Sequence, residues 1–375
     1  MLGKSLFPYD PDIIGELLGV IFNSPFALNA GKGKLCFNNL SAIACTSFVG
    51  IAMGFISWII DNVKGKNKAI LLFSSRDCYF LYKLYTEIMK NEGVSLLPKA
   101  EYIYISRQAL RGVEITSYDE LLPFFMHAKY AYGKTKLKDF LRLIFETDFN
   151  ITYDGVMCEL SDADYDELIR NEIFPHSKEI IAISKEKRDN YLRYFKRIDI
   201  SKYEEIYLVD VQTTGSSLFS LSKLIDKKIK LMTIRLIYND NNVGFNDKCV
   251  FVKEISSISS FANKCMILEK AYASNGGQLI KFDKDGYPLF CAETKYNEKM
   301  LKELQRAMKK FINSYLDTTW YKRKISVNLI ANLLDCIDSS CSIMNDDIVA
   351  KFSSRDYLAS DVNMNEMKII RGALI

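Results

Sequence analysis

Strand-length apolar runs recur along this chain, and each leads directly into a polar loop. "KAILLFSSRDCYFLYKLYTEIMK" (68–90) carries an unbroken apolar stretch at Ile70–Phe73 and a turn at Ser74–Asp77, then apolar residues at helical spacing: Phe80, Leu81, Leu84, Tyr85 and Ile88. "AEYIYISRQALRG" (100–112) holds a second strand, Tyr102–Ile105, ending in a basic loop. "EEIYLVDVQTTGSSLFSLSKLI" (204–225) repeats the strand–loop–helix order, with helical spacing at Leu218, Leu221, Leu224 and Ile225. "KIKLMTIRLIY" (228–238) supplies a fourth strand. Unbroken apolar runs suit strands covered on both faces, and helical stretches between them suit crossovers. The expected fold is therefore α/β, a parallel sheet with crossover helices.

The remainder reads as additions to a core formed by 68–112 and 201–295. Residues 1–67 are expected as a helical segment packed on it. Between 113 and 200 the text changes to "KTKLKDFLRLIFE", "SDADYDELI" and "SKEKRDNYLRYFKRI", a helical insertion with solvated faces. Residues 265–290 offer a helix, a Gly-Gly turn and a hairpin signal around "DKDG". From 296 onward the chain reads as mostly helical, including "NEKMLKELQRAMKKFINSYL". The run "LSAIACTSFVGIAMGFISWIID" (40–61) is long enough to cross a bilayer. Its Ser, Thr, Ala and Gly content and the polar turn after it favour a buried core helix over a span or an interfacial helix.

Composition narrows the function classes. The chain has 375 residues, 49% hydrophobic and 26% charged, enough to bury a large core. A formal net charge of +4 gives no reason to expect nucleic acid as a partner. Nine cysteines without a CxxC, and only His127 and His176, argue against a disulfide framework or a His/Cys zinc site. The N-terminal "MLGKSLFPYDPDIIGELLGVIF" lacks the basic leader and cleavage site of a secretory signal, so a cytoplasmic location is expected.

In a parallel sheet the loops at the carboxyl ends of the strands share one crevice. Three loops are placed there: Ser74, Ser75, Arg76 and Asp77; Ser106, Arg107, Arg111 and Gly112; and Asp210 through Ser217. Gly215 permits a tight turn and close backbone approach. Thr213, Thr214, Ser216 and Ser217 set hydroxyls beside loop amides, a nest suited to phosphate. Asp210 could accept from sugar hydroxyls or bind a metal. Plainer readings stand beside these: a capped helix entry at 210–217, a local ion pair of Arg76 with Asp77, surface arginines at 107 and 111, a small buried residue at Cys78, and structural histidines.

"YLVDVQTTGSS" resembles the PRPP (phosphoribosyl pyrophosphate) loop of type I phosphoribosyltransferases, with Val209 at the first acidic position of that pattern. The resemblance implies that Asp210 contacts ribose hydroxyls and that Thr213, Thr214, Gly215 and Ser217 hold the 5-phosphate. "FSSRD" and "YISRQALRG" then stand where that family places its two pyrophosphate-contacting loops, though "FSSRD" has no glycine. It also implies a phosphoribosyltransferase-like, Rossmann-type sheet. Over roughly 68–290 the chain is similar, more weakly, to poorly characterised proteins of bacterial surface-polysaccharide loci, often labelled haloacid-dehalogenase-like. That label expects Asp-x-Asp where Arg76-Asp77-Cys78 stands.

These resemblances imply a glycosyltransferase-type phosphoribosyltransferase that uses a pentose-phosphate donor and Mg2+. The sugar would go to a glycan or lipid-linked glycan acceptor in polysaccharide biosynthesis, with Arg76, Arg107 and Arg111 stabilising the leaving pyrophosphate and Asp77 beside them. Two alternatives stay open: an Mg2+-dependent phosphatase with Asp77 or Asp210 as nucleophile, and a non-catalytic sugar-phosphate-binding protein. "TTWYKRK" (318–324) reads either as a peripheral contact with the inner face of the cell membrane or as a solvated helix end.

Overall fold

The computed structural model describes residues 35–37, 44–92, 97–213, 215–236, 248–250, 268–274, 277–291, 295–315, 321, 342–344 and 369–371. Its strands, in chain order, are β1 (Leu35–Phe37), β2 (Ala69–Ser74), β3 (Lys99–Ile103), β4 (Glu205–Thr213) and β5 (Ile229–Leu236), then β6 (Lys248–Val250), β7 (Leu279–Phe282), β8 (Pro288–Cys291), β9 (Ser342–Met344) and β10 (Ile369–Arg371). Its helices are α1 (Val49–Val63), α2 (Tyr79–Glu92), α3 (Arg107–Leu110), α4 (Leu121–Tyr132) and α5 (Leu137–Phe145), then α6 (Asp162–Leu168), α7 (Ser177–Lys196), α8 (Ser216–Ile225) and α9 (Lys295–Tyr315).

The apolar runs form one sheet in the order β3-β2-β4-β5-β6, with every neighbouring pair parallel. All six residues of β2 are buried, as a strand covered on both faces requires. From β2 the chain steps to β3 on one side, and from β4 it steps to β5 on the other. Right-handed crossovers then put α2, which packs on β2 and β3, and α8, which packs on β4 and β5, on opposite faces. The β2/β4 boundary is where the strand order reverses.

The run at 40–61 contributes α1, with Val49, Ile51, Ala52, Met53, Phe55, Ile56 and Ile59 all inaccessible to solvent. A helix apolar on every side is buried by protein when it is this short. Among the described residues no helix is long and apolar enough to cross a membrane. Tyr272 donates its hydroxyl to Phe48 O (2.6 Å), and Gln305 on α9 donates to Ala271 O (3.3 Å) and Ala273 O (2.6 Å). These bonds tie residues 268–274 to the layer around α1.

Residues 115–180 build a second apolar cluster around Phe125, Phe140, Ile144, Tyr165 and Ile169, separate from the cluster that surrounds the sheet. The long helix α7 joins the two. Its Lys187 side chain, partly buried, donates to Arg111 O (2.8 Å), Ile144 O (2.9 Å) and Gln108 O (3.4 Å), and burial lowers its pKa to about 8. The helix also holds the chain just past β3: the Tyr104 N–H donates to Tyr194 Oη (2.9 Å), and Tyr191 Oη donates to Tyr104 O (2.8 Å).

The "DKDG" signal is a hairpin, β7 to β8 antiparallel, with Gly286 at φ +78° and Asp283 Oδ1 accepting from the N–H groups of Asp285 and Tyr287 (2.9 Å each). Three strands depart from the mostly helical expectation for the two ends of the chain. β1 pairs in parallel with β9, and β10 extends the β7–β8 hairpin as an antiparallel third strand. Such three-residue strands are held by a distant partner rather than by local periodicity, so the sequence carries little sign of them.

Candidate functional site

The crevice at the β2/β4 boundary is built outward from Asp210. This side chain leaves β4 towards β2 and is 9% exposed. Ser74, the last residue of β2, donates Oγ–H to Asp210 Oδ1 (3.1 Å), and the Val211 N–H donates to the same oxygen (2.9 Å). Cys78 lies beneath: its Sγ is 3.4 Å from Ser74 Oγ and donates to Val209 O (3.4 Å). Burial and then the neighbouring carboxylates push that thiol well above its usual range, which makes it an inert packing residue.

The electrostatics distinguish this place from the rest of the surface. Burial, and then the charge of Asp77, raise Asp210 to about 7 against the pull of its two hydrogen bonds and of Arg107. Glu269, on the helical residues 268–272, is raised well above the usual carboxylate range by burial, Asp77 and Asp210, while Arg76 and Arg107 pull the other way. Three carboxyl groups and two guanidiniums from four chain segments therefore share one field. Like charges crowded in a poorly hydrated crevice cannot all ionise freely, and such clusters are what functional sites build.

The first loop is tightly tied. Ser75 Oγ donates to Ile105 O (2.9 Å) and accepts from the Ile105 N–H (3.0 Å), fastening this loop to the one after β3. Arg76 Nε lies 3.5 Å from Asp77 Oδ1, both side chains being partly exposed. The third loop turns at Gly215, φ +87°, whose N–H donates to Thr213 Oγ1 (3.0 Å), and then enters α8 at Ser216 and Ser217. Thr214 lies outside the described residues.

The second loop divides. Arg107, exposed at the start of α3, acts on Asp210 and Glu269. Ser106 is a helix cap: its Oγ accepts from the Ala109 N–H (3.0 Å) and donates to Leu279 O (2.7 Å). Arg111 is buried and donates Nε–H to Tyr132 Oη (3.1 Å), with its guanidinium 5.1 Å from that ring. It belongs to the junction with the insertion. Gly112, φ +84°, faces Ile144 and Phe145 of the insertion. The histidines sit on the insertion too: partial burial and Arg111 lower His127, and His176 lies edge-on to Phe149. Of "TTWYKRK", only Tyr321 is among the described residues, and it is buried.

Glu269 escaped sequence reasoning. "ILEKAY" reads as an ordinary helix with a charged surface position, and nothing local says that its carboxyl meets two aspartates from elsewhere in the chain. Among the described residues, no three of His, Cys, Asp and Glu stand close enough to hold a metal ion by themselves. No family model and no curated protein matches the chain.

Proposed function

We propose that this crevice binds a phosphorylated sugar together with Mg2+, with a pentose phosphate such as PRPP as donor, and that the protein transfers the sugar to a glycan or related acceptor. The observation that carries the reading is the convergence of Arg76, Asp77, Arg107, Asp210 and Glu269 where the strand order reverses. Charges of both signs in one crevice serve the two ends of one ligand. Guanidiniums pair with phosphate oxygens through a planar fork, and carboxylates accept from sugar hydroxyls.

The donor chemistry fits a hard cation, since crowded carboxyl oxygens are relieved by positive charge. Mg2+ commonly takes one or two carboxylates and completes its shell with substrate phosphates and water, so three protein ligands are not required. Asp77 with Asp210 or Glu269 would hold it, and when bound it neutralises charge on a leaving pyrophosphate. Arg76 and Arg107 stabilise the same developing charge. Asp210, titrating near neutrality, either orients a sugar hydroxyl or takes the proton of the attacking acceptor.

Incubation of the purified full chain with PRPP and Mg2+, following pyrophosphate and inorganic phosphate separately, tests this. Pyrophosphate release supports transfer. Inorganic phosphate alone makes the protein a phosphatase, and binding without turnover makes it a sugar-phosphate-binding protein.

A further inference from the structure

Arg76 is one of four non-glycine residues with a left-handed backbone among the described residues, at φ +68°, and the only one of them in the crevice. Such a conformation persists in a side-chain-bearing residue only when its surroundings hold it. Both polar groups of its backbone are taken by other elements. The Arg76 N–H donates to Tyr102 Oη on β3 (2.7 Å), and the Ser274 N–H donates to Arg76 O (2.8 Å). The Ser274 and Tyr102 side chains are themselves hydrogen-bonded. Tyr102 is in turn fixed by its ring, which packs against Tyr79 (5.5 Å between centroids), Tyr82 (5.7 Å) and Tyr104 (5.7 Å).

We propose that Tyr102 is a positioning residue: its hydroxyl, with Ser274, holds Arg76 left-handed so that the Arg76 guanidinium and the Asp77 carboxylate both enter the crevice. This rests on the phosphate-binding reading given above and adds a residue that touches no ligand. A right-handed Arg76 would turn the following peptide and redirect both side chains, since consecutive residues share that peptide plane. The same bonds tie the loop after β2 to the 268–274 segment that carries Glu269.

The test uses the full chain, Mg2+ with inorganic pyrophosphate as the calorimetric probe, and melting temperature. Tyr102→Phe keeps the ring packing and removes the hydroxyl. Its affinity for the probe is expected to fall at least tenfold, and an affinity within twofold of the parent overturns the proposal. A second measurement needs no ligand. Arg76→Gly suits the left-handed backbone but removes the guanidinium in both backgrounds, so its effect on melting temperature is expected to be clearly more favourable in the parent than in Tyr102→Phe, where the constraint is gone. Equal shifts in both backgrounds overturn the positioning role. If the parent does not bind the probe, the phosphate-binding reading fails and Tyr102 loses its functional part, whatever the melting data show.

Discussion

Strand β4 carries two carboxylates, and they occupy opposite electrical surroundings. Glu205, at its start, accepts from Lys230 Nζ (2.6 Å) and from Tyr207 Oη, with Lys66 Nζ 3.4 Å away. Those partners, Lys230 first, depress it to about 2. Asp210, five residues on, is raised to about 7 by burial and then by the charge of Asp77. One end of the sheet closes its charges locally. The other leaves negative charge that a cation or a ligand's hydroxyls would relieve, the expected difference between the stabilising face and the working face of a parallel sheet.

Asp210→Asn should break this contrast most visibly. The amide keeps an oxygen for Ser74 and Val211 but loses the charge, so turnover of the donor should fall about 10- to 100-fold. Stability should move the other way. Because the folded-state pKa is raised, the folded protein binds a proton that the unfolded chain has lost, and stability of the parent falls as pH rises from about 4 to about 7, then levels. The variant escapes that loss, so at pH 8 it should be the more stable by up to about 4 kcal/mol, as read from urea unfolding at a series of pH values. A variant less stable than the parent at pH 8 would mean that Asp210 is compensated after all.

Gly215→Val sharpens the same end of the strand from its backbone. A β-branched residue at φ +87° is strained, at an expected cost of about 1–3 kcal/mol in unfolding free energy. Ligand affinity should fall as well, as titration calorimetry can read, if the turn approaches a phosphate. Loss of stability with unchanged affinity would mark the turn as a helix entry only.

The smallest effect belongs to Glu205→Gln. The group is about a third exposed, so water screens its ion pairs and the loss should be about 0.5–1 kcal/mol at pH 7. Its depressed pKa fixes the sign: the contribution is present above about pH 4.5 and is lost as pH falls towards about 2. Thermal scans between pH 2 and 7 should therefore show parent and variant converging in acid, with turnover alike at pH 7.

Strands β2 and β4 were legible because a buried parallel strand needs an unbroken apolar stretch, and the runs at 70–73 and 206–209 supply one each. The short strand β6 and the pairings of β1, β9 and β10 were not, because a distant partner supplies their hydrogen bonds. Asp210 and the loop after β2 could be placed in one crevice from sequence, since loops that follow parallel strands emerge on one edge. The same rule could not separate Arg107 from Arg111, which are four residues apart in one loop. Packing against Tyr132 takes the second into the insertion and leaves the first beside Asp210.

Local pattern thus determined which segments become strands and helices, and so where the polar loops emerge, because burial and backbone geometry act on neighbouring residues. Tertiary structure alone decided which charges meet. Glu269 reaches Asp77 and Asp210 only after the 268–274 segment is bonded to the layer around α1 and to α9, and a carboxylate's pKa depends on charges nearby in space, which sequence separation does not record.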